Sequence, residues 1–236
     1  MEYSNKIWFK RWWGVLIIII IAIILFFLAV SASYFVGEIK NAKLKLNQAE
    51  PIRQLKESGQ KYDAASGDNY WLGSANAKIT IVEFGDFACP VCLQSFPTVR
   101  EISLRYKNDI KLIWRDYPVV SDYSANLALA ARCAGEQGLF WPMHDKLFQN
   151  QGVGQTDDKI AQFDELAALA NQIGANQAKF KDCFDRQKYL PQIQKDLTDG
   201  QAFGIAGTPT YFIDGYKLEG DVPLDIFIKM IEQLKK

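Results

Sequence analysis

Histidine is almost missing from this sequence: His144 is the only one in 236 residues, and cysteine occurs just four times. A structural zinc site needs four Cys or His ligands. Cys89 and Cys92 would have to recruit theirs from His144, Cys133 and Cys183, which lie in separate helical stretches. That spacing argues against a metal centre, and no cofactor is expected. An excess of either charge is also missing, since Lys+Arg and Asp+Glu each number 27. No global field would draw a polyanion, so nucleic acid is excluded as an expected partner. Internal repeats are absent, and low complexity is confined to one Ile-rich run.

That run, GVLIIIIIAIILFFLAVSASYFV from Gly14 to Val36, carries no charge and as a helix would extend roughly 35 Å, enough to cross a bilayer. Ser31 and Ser33 could precede a signal cleavage site. The run is nevertheless longer than the roughly 7 to 15 residues of a secretory core, and Trp12 and Trp13 suit an interfacial belt. A retained signal anchor is expected. Lys6, Lys10 and Arg11 before the span are balanced by Lys40, Lys43 and Lys45 after it, so charge alone does not orient it. A long C-terminal domain translocates regardless of flanking charge, and two plausible cysteine pairs suit an oxidising compartment. The expected layout is a cytoplasmic N-terminus at 1–13, a transmembrane anchor at 14–36, a linker at 37–69 and an extracytoplasmic domain at 70–236.

Within the domain, KITIVEF (Lys78 to Phe84) alternates like a strand and runs into CPVC, Cys89 to Cys92. Phe96, Val99, Ile102 and Tyr106 then follow at helical spacing, and Asp109 to Val119 reads as the next strand. Helical periodicity fills the middle, an insertion at about 121–190. A helix near Pro191–Phe203, a hairpin around the Asp214-Gly215 turn and a closing helix at Leu224–Leu234 complete the chain. Strands and helices in this order give an α/β domain interrupted by an all-helical insertion.

A C-x-x-C at a strand-to-helix junction puts its first sulfur at a helix N-terminus, where free N–H groups and the macrodipole favour a thiolate. Cys89 is therefore the candidate nucleophile and Cys92 the resolving thiol. Pro90 fits the first turn, where its missing N–H costs nothing, and leaves the amides of Val91 and Cys92 free to face the sulfur. A purely structural staple closing so short a loop would add little by chain entropy. The dipole alone contributes only about 0.3 to 1 kcal/mol, so local groups must supply the rest of any strong acidification. His144 and the aromatic residues Phe84, Phe87, Phe140 and Trp141 are expected mostly as packing residues.

IVEFGDFACPVC, AARCAGEQGLFW, FKDCF and GTPTYFIDG together resemble the DsbA-like thioredoxin-fold family of membrane-anchored or secreted thiol-disulfide oxidoreductases, including BdbD-type proteins. The resemblance implies a thioredoxin fold with a helical insertion. It also implies a cis Thr208-Pro209 bond facing CPVC, where the Thr208 backbone would pair with substrate. Glu83 is implied to lie under Cys92 and handle its proton, and Cys133 and Cys183 to form a structural disulfide. Val91 stands where the archetypal DsbA has a histidine, which removes one contribution to thiolate stability. The implied activity is an oxidase that donates the Cys89–Cys92 disulfide to folding extracytoplasmic proteins and is re-oxidised by a membrane partner of the DsbB or VKOR-like type. A reductase or isomerase would use the same residues at a different potential. A thiol-based copper carrier or a chaperone module is the alternative of a different class.

Overall fold

A computed structural model describes residues 12–49, 60–156 and 158–235. The chain divides into two units, 1–51 and 52–236.

The described residues of the first unit form one helix, α1 (Trp12–Ala49). Its stretch Gly14–Phe35, 22 residues of mean hydropathy 3.4, is by length and composition able to cross a membrane. The helix does not stop where the linker was expected to begin. Beyond Gly37 the segment is rich in Lys, Leu and Ala, good helix formers, and no proline occurs until Pro51. The linker's remainder at 50–59, and the N-terminal segment 1–11, lie outside the described residues.

The second unit is built on β1 (Trp71–Gly73), β2 (Ile79–Gly85), α2 (Pro90–Arg105) and β3 (Ile110–Asp116). The insertion follows as α3 (Ser124–Gly135), α4 (Phe140–Gln149), β4 (Gln151–Gly154), α5 (Lys159–Gln172) and α6 (Gln177–Asp185). Then come α7 (Leu190–Ala202), β5 (Thr210–Ile213), β6 (Tyr216–Glu219) and α8 (Leu224–Leu234). The five-stranded sheet has the order β1-β3-β2-β5-β6. β2 runs parallel to β3, with Glu83 opposite Trp114, and antiparallel to β5, with Glu83 opposite Tyr211. β1 and β6 close the edges in antiparallel pairings.

The period of two along β2 sorts its side chains between two cores. Ile79 and Ile81 join Val99 and Ile102 of α2 and Phe227, Met230 and Ile231 of α8 in one buried cluster. Val82 and Phe84 join Ile113, Tyr117 and Phe212 in the other. Ala64 belongs to that second cluster and Tyr62 packs on it, so the packed domain begins before residue 70. Tyr62 N donates to Gly215 O at 3.0 Å. Gly215 sits at φ 86° in the β5–β6 turn, and a Cβ there would meet the Tyr62 carbonyl oxygen at 2.9 Å. β1 and β4 were not anticipated: both are too short to show alternation.

A buried ionic cluster ties the sheet to the insertion. Arg115 of β3 donates to Asp196 of α7 through Nε at 2.9 Å and Nη2 at 2.7 Å, and Arg132 of α3 donates to the other Asp196 oxygen at 2.6 Å. Arg132 also pairs with Asp116, which accepts from Trp114 Nε1 at 2.8 Å, and Arg115 pairs with Asp199. Arg115, Arg132, Asp116 and Asp196 are all buried. Elsewhere in the insertion a Cys133–Cys183 disulfide joins α3 to α6 across a separation of 50 residues. In the loop-entropy account such a closure contributes about 4 kcal/mol.

Removing one member of a buried ion pair leaves its partner uncompensated, at a cost of about 3 to 5 kcal/mol. Asp196→Ala removes the carboxylate that both guanidinium groups share, leaving Arg115 only Asp199 and Arg132 only Asp116, and is expected to lower unfolding free energy by up to about that amount in denaturant titration. A loss below about 1 kcal/mol, the range of an exposed pair, would contradict the role given to the cluster.

Candidate active site

Cys89 is the N-cap residue of α2, in extended geometry at φ −79° and ψ 120°, with Pro90 in the first turn. The preceding turn is closed by Cys89 N donating to Asp86 O at 3.0 Å, and the helix starts with Leu93 N donating to Cys89 O at 3.1 Å. Cys89 is 5% exposed and Cys92 0%, both as free thiols. Pro90 and Val91, the latter at 40%, are both exposed, so the motif turns two apolar side chains outward.

The Thr208-Pro209 bond is cis, and Cys89 Sγ donates to Thr208 O at 3.2 Å. The start of α2 and the entry to β5 thus meet at Cys89. Pro209 is buried and Thr208 half-buried. Thr208 Oγ1 has no hydrogen-bond partner while Cys89 is a thiol. Once that thiol loses its proton, the hydroxyl can turn to donate to the sulfur.

The two cysteines titrate in opposite directions. Cys89 is lowered to about 5, first by the Cys92 thiol donating to its sulfur and then by Thr208 and the amides of Cys92 and Val91, against the opposing effect of burial. Cys92 is pushed far up by burial, by its hydrogen bond to Cys89 and by the nearby Glu83 charge. The pair therefore holds one thiolate and one thiol, the thiolate on the sulfur nearer the surface.

Glu83 lies on the α2 side of β2 and is 4% exposed, an interior carboxyl on a strand paired on both sides. Burial raises it to about 8, moderated by Tyr211. The Tyr211 hydroxyl lies 3.4 Å from Glu83 Oε1 and 3.1 Å from Ser95 Oγ, and Ser95 Oγ donates to Cys92 O at 3.1 Å. One phenolic proton cannot serve both acceptors. A protonated Glu83 resolves this by donating to Tyr211, which frees the Tyr211 proton for Ser95.

Four polar contributors were not singled out from sequence. Asp86 is 2% exposed; one carboxylate oxygen accepts from Ala88 N at 2.9 Å, the other from Val119 N at 2.9 Å and Val120 N at 2.8 Å. Tyr211 and Ser95 form the chain to Glu83. Gln151, at the start of β4, donates to the carbonyls of Phe87 and Cys89. A D-F-A-C turn hints at an Asx-type bond from Asp86, but Gln151 carries no local signal.

The disulfide Cys133–Cys183 is in the insertion, on α3 and α6, and neither residue belongs to the CPVC turn. His144 is buried among Phe87, Trp114, Trp141 and Phe148, its Nδ1 3.0 Å from Asp145 Oδ1, and burial pushes its pKa down. Among the described residues no group of three or more His, Cys, Asp or Glu is placed to hold a metal.

Residues 65–233 match the family described as Thioredoxin. DsbA2 of Wolbachia pipientis, a thiol-disulfide exchange protein, superposes with a TM-score of 0.63 at 21% identity, over 79% of this chain and 95% of that one. BdbD from Bacillus subtilis superposes with a TM-score of 0.61 at 26% identity, over 71% of this chain and 94% of that one. A curated relative from Salinispora arenicola, named Na(+)/H(+) antiporter NhaA 1, is 33% identical over 155 residues, 65% of this chain. The chain spans 22% of that relative's length.

Because the Cys92 thiol is the largest cause of Cys89 acidity, Cys92→Ala is expected to move the Cys89 thiolate titration, followed by ultraviolet absorbance, up from about 5. An unmoved midpoint would mean that the helix end and amides suffice. Glu83 gives a second expectation, best read in the oxidised protein, where neither active-site thiol titrates. Its folded value exceeds its ordinary one, so the folded state holds the proton more tightly. Stability is then fully present below pH 4.5 and declines as pH rises to about 8. Glu83→Gln is expected to flatten that decline, and an unchanged slope would show that Glu83 is not its source.

Proposed function

The chain belongs to the thioredoxin family as a DsbA-like thiol-disulfide oxidoreductase, and from that premise we propose that it is a disulfide donor to proteins folding outside the cytoplasmic membrane. The observation that carries the direction of exchange is the lowered Cys89 sulfur above a buried, proton-retaining Cys92. A stable thiolate favours the reduced form of the pair, and a protein whose reduced form is favoured oxidises others.

The exchange runs in two displacements. A substrate thiolate attacks Cys89 Sγ of the Cys89–Cys92 disulfide, forming a mixed disulfide and expelling Cys92 as a thiolate. Cys92, buried and averse to charge, takes a proton, for which protonated Glu83 is the adjacent source. A second substrate thiolate then attacks the substrate sulfur bound to Cys89. The substrate disulfide forms, and Cys89 leaves as the thiolate that Cys92, Thr208 and the Val91 and Cys92 amides stabilise. Two electrons pass from substrate to the cysteine pair. Val91 contributes through its backbone N–H alone, so the acidity of Cys89 does not depend on an imidazole in the motif.

The Thr208 backbone beside cis Pro209 is the edge where an extended substrate would pair, next to the outward-facing Val91. The apolar Gly14–Phe35 segment supports a single-pass anchor, with the domain on the extracytoplasmic side. Return of the reduced pair to the disulfide then falls to a membrane re-oxidant of the DsbB or VKOR-like type. The disulfide joining Cys133 and Cys183 suits an oxidising compartment, where it would hold the insertion together.

Cells carrying the Cys92→Ala chain are expected to accumulate mixed disulfides through Cys89 that a reductant releases. Blocking the thiol of intact cells with a membrane-impermeant reagent is expected to prevent them. Adducts that form only behind the membrane would overturn the location, and absence of adducts would overturn donation to protein thiols.

A further inference from the structure

The segment before Cys89 is pinned from two sides. On its N–H side, the Asp86 carboxylate accepts from Ala88 N at 2.9 Å. On its C=O side, the Gln151 amide nitrogen donates to Phe87 O at 3.0 Å and to Cys89 O at 2.9 Å. A primary amide nitrogen carries two hydrogens, so both bonds form at once. Cys89 O already accepts from Leu93 N at 3.1 Å, the first bond of α2. The contact from Gln151 is therefore not needed merely to satisfy a buried carbonyl. It fixes where that carbonyl points.

Direction matters at this position. Cys89 Sγ is surrounded by dipoles of both signs. The amides of Val91 and Cys92 present positive ends to it, whereas the carbonyls of Phe87 and Cys89 would present negative ends if the turn rotated. Holding both oxygens on the Gln151 nitrogen keeps those negative ends away from the sulfur.

Gln151 is itself fixed from within the insertion. Three residues on in β4, Gly154 N donates to Glu165 Oε2 at 2.6 Å and Gly154 O accepts from Gln162 Nε2 at 2.6 Å. Asn126 of α3 donates in turn to Gln162 Oε1 at 2.5 Å. A side chain 62 residues from Cys89 in sequence is thus placed on its turn by three separate elements.

We propose that Gln151 is a positioning residue for disulfide exchange: it acts through the Phe87 and Cys89 carbonyls to hold the nucleophile's turn with the Val91 and Cys92 amides facing the Cys89 sulfur. The inference rests on thiol-disulfide exchange at Cys89. The helical insertion, by this account, completes the active site of the thioredoxin core as well as extending its surface.

Two variants of the full chain test it. Gln151→Met keeps the length of the side chain and removes both donors. Gln151→Glu places a carboxylate against two carbonyl oxygens and adds a negative charge near the sulfur. The Cys89 titration midpoint is expected to rise by about half a unit to one unit in Q151M, and by more in Q151E. The rate of exchange with a small disulfide at pH 4, below the midpoint, should fall about twofold to threefold in Q151M, the lost thiolate fraction being partly offset by the greater nucleophilicity of a more basic thiolate. Thermal unfolding is measured alongside. Midpoints and rates equal to the unsubstituted protein, with only thermal stability lowered, would overturn the inference and leave Gln151 a structural contact. If Q151M fails to fold, the Q151E midpoint decides alone, an unshifted value overturning the inference. Failure of the underlying activity is distinguishable, because the unsubstituted chain would then show no exchange at all.

Discussion

One shared proton organises this domain. Cys89 and Cys92 sit within hydrogen-bonding reach at the N-terminus of α2, and the environment assigns the proton to the deeper sulfur. Burial is the reason for the asymmetry: Cys92 is enclosed and Cys89 opens towards the cis Thr208-Pro209 bond. The helix end alone is worth too little to produce it, about 0.3 to 1 kcal/mol. The remainder comes from a thiol, a threonine and two amides converging on one sulfur. Such convergence requires that the turn not move, which is why so many polar groups around it are committed to backbone rather than to substrate.

The fold supplies that rigidity through its sheet. β2 carries the CPVC turn at its end and is paired on both sides, parallel to β3 and antiparallel to β5. The same two neighbours bring Asp116 and the Val119–Val120 amides on one side, and Thr208, Pro209 and Tyr211 on the other. Alternation along β2 delivers Glu83 to the face covered by α2, so the residue under Cys92 is set by strand register. The ionic cluster around Asp196 and the Cys133–Cys183 bond serve a different need. The first ties the insertion, and with it Gln151, to the sheet, and the second joins two helices within the insertion.

Local features were legible in the sequence and convergent ones were not. The strand into CPVC, the helix after it, the hairpin at Asp214-Gly215 and the closing helix Leu224–Leu234 each leave a periodic or turn signature within a dozen residues. Cys89, Cys92 and Pro209 follow from motif and resemblance together. Asp86, Tyr211, Ser95 and Gln151 do not, because each is a single polar residue whose partners lie elsewhere in the chain. Gln151 reaches across 62 residues to Cys89, and Tyr211 across 116 to Ser95. Arg115, Arg132 and Asp196 look in sequence like solvated charges and are buried because they meet one another. The early start of the domain at Tyr62 and Ala64 was hidden for a related reason: two apolar residues before a Gly-Asp loop carry no period.

The central claim is that Cys89 is a thiolate and Cys92 a thiol at neutral pH. The reduction potential of the Cys89–Cys92 couple, measured against pH, tests it most directly. Each proton taken up with two electrons tilts the potential by about 30 mV per pH unit. The account predicts about 60 mV per unit below a break near pH 5, about 30 mV per unit above it, and a potential at pH 7 well above the roughly −270 mV of thioredoxin. An unbroken slope of about 60 mV through neutrality, at a potential like that of thioredoxin, would contradict it.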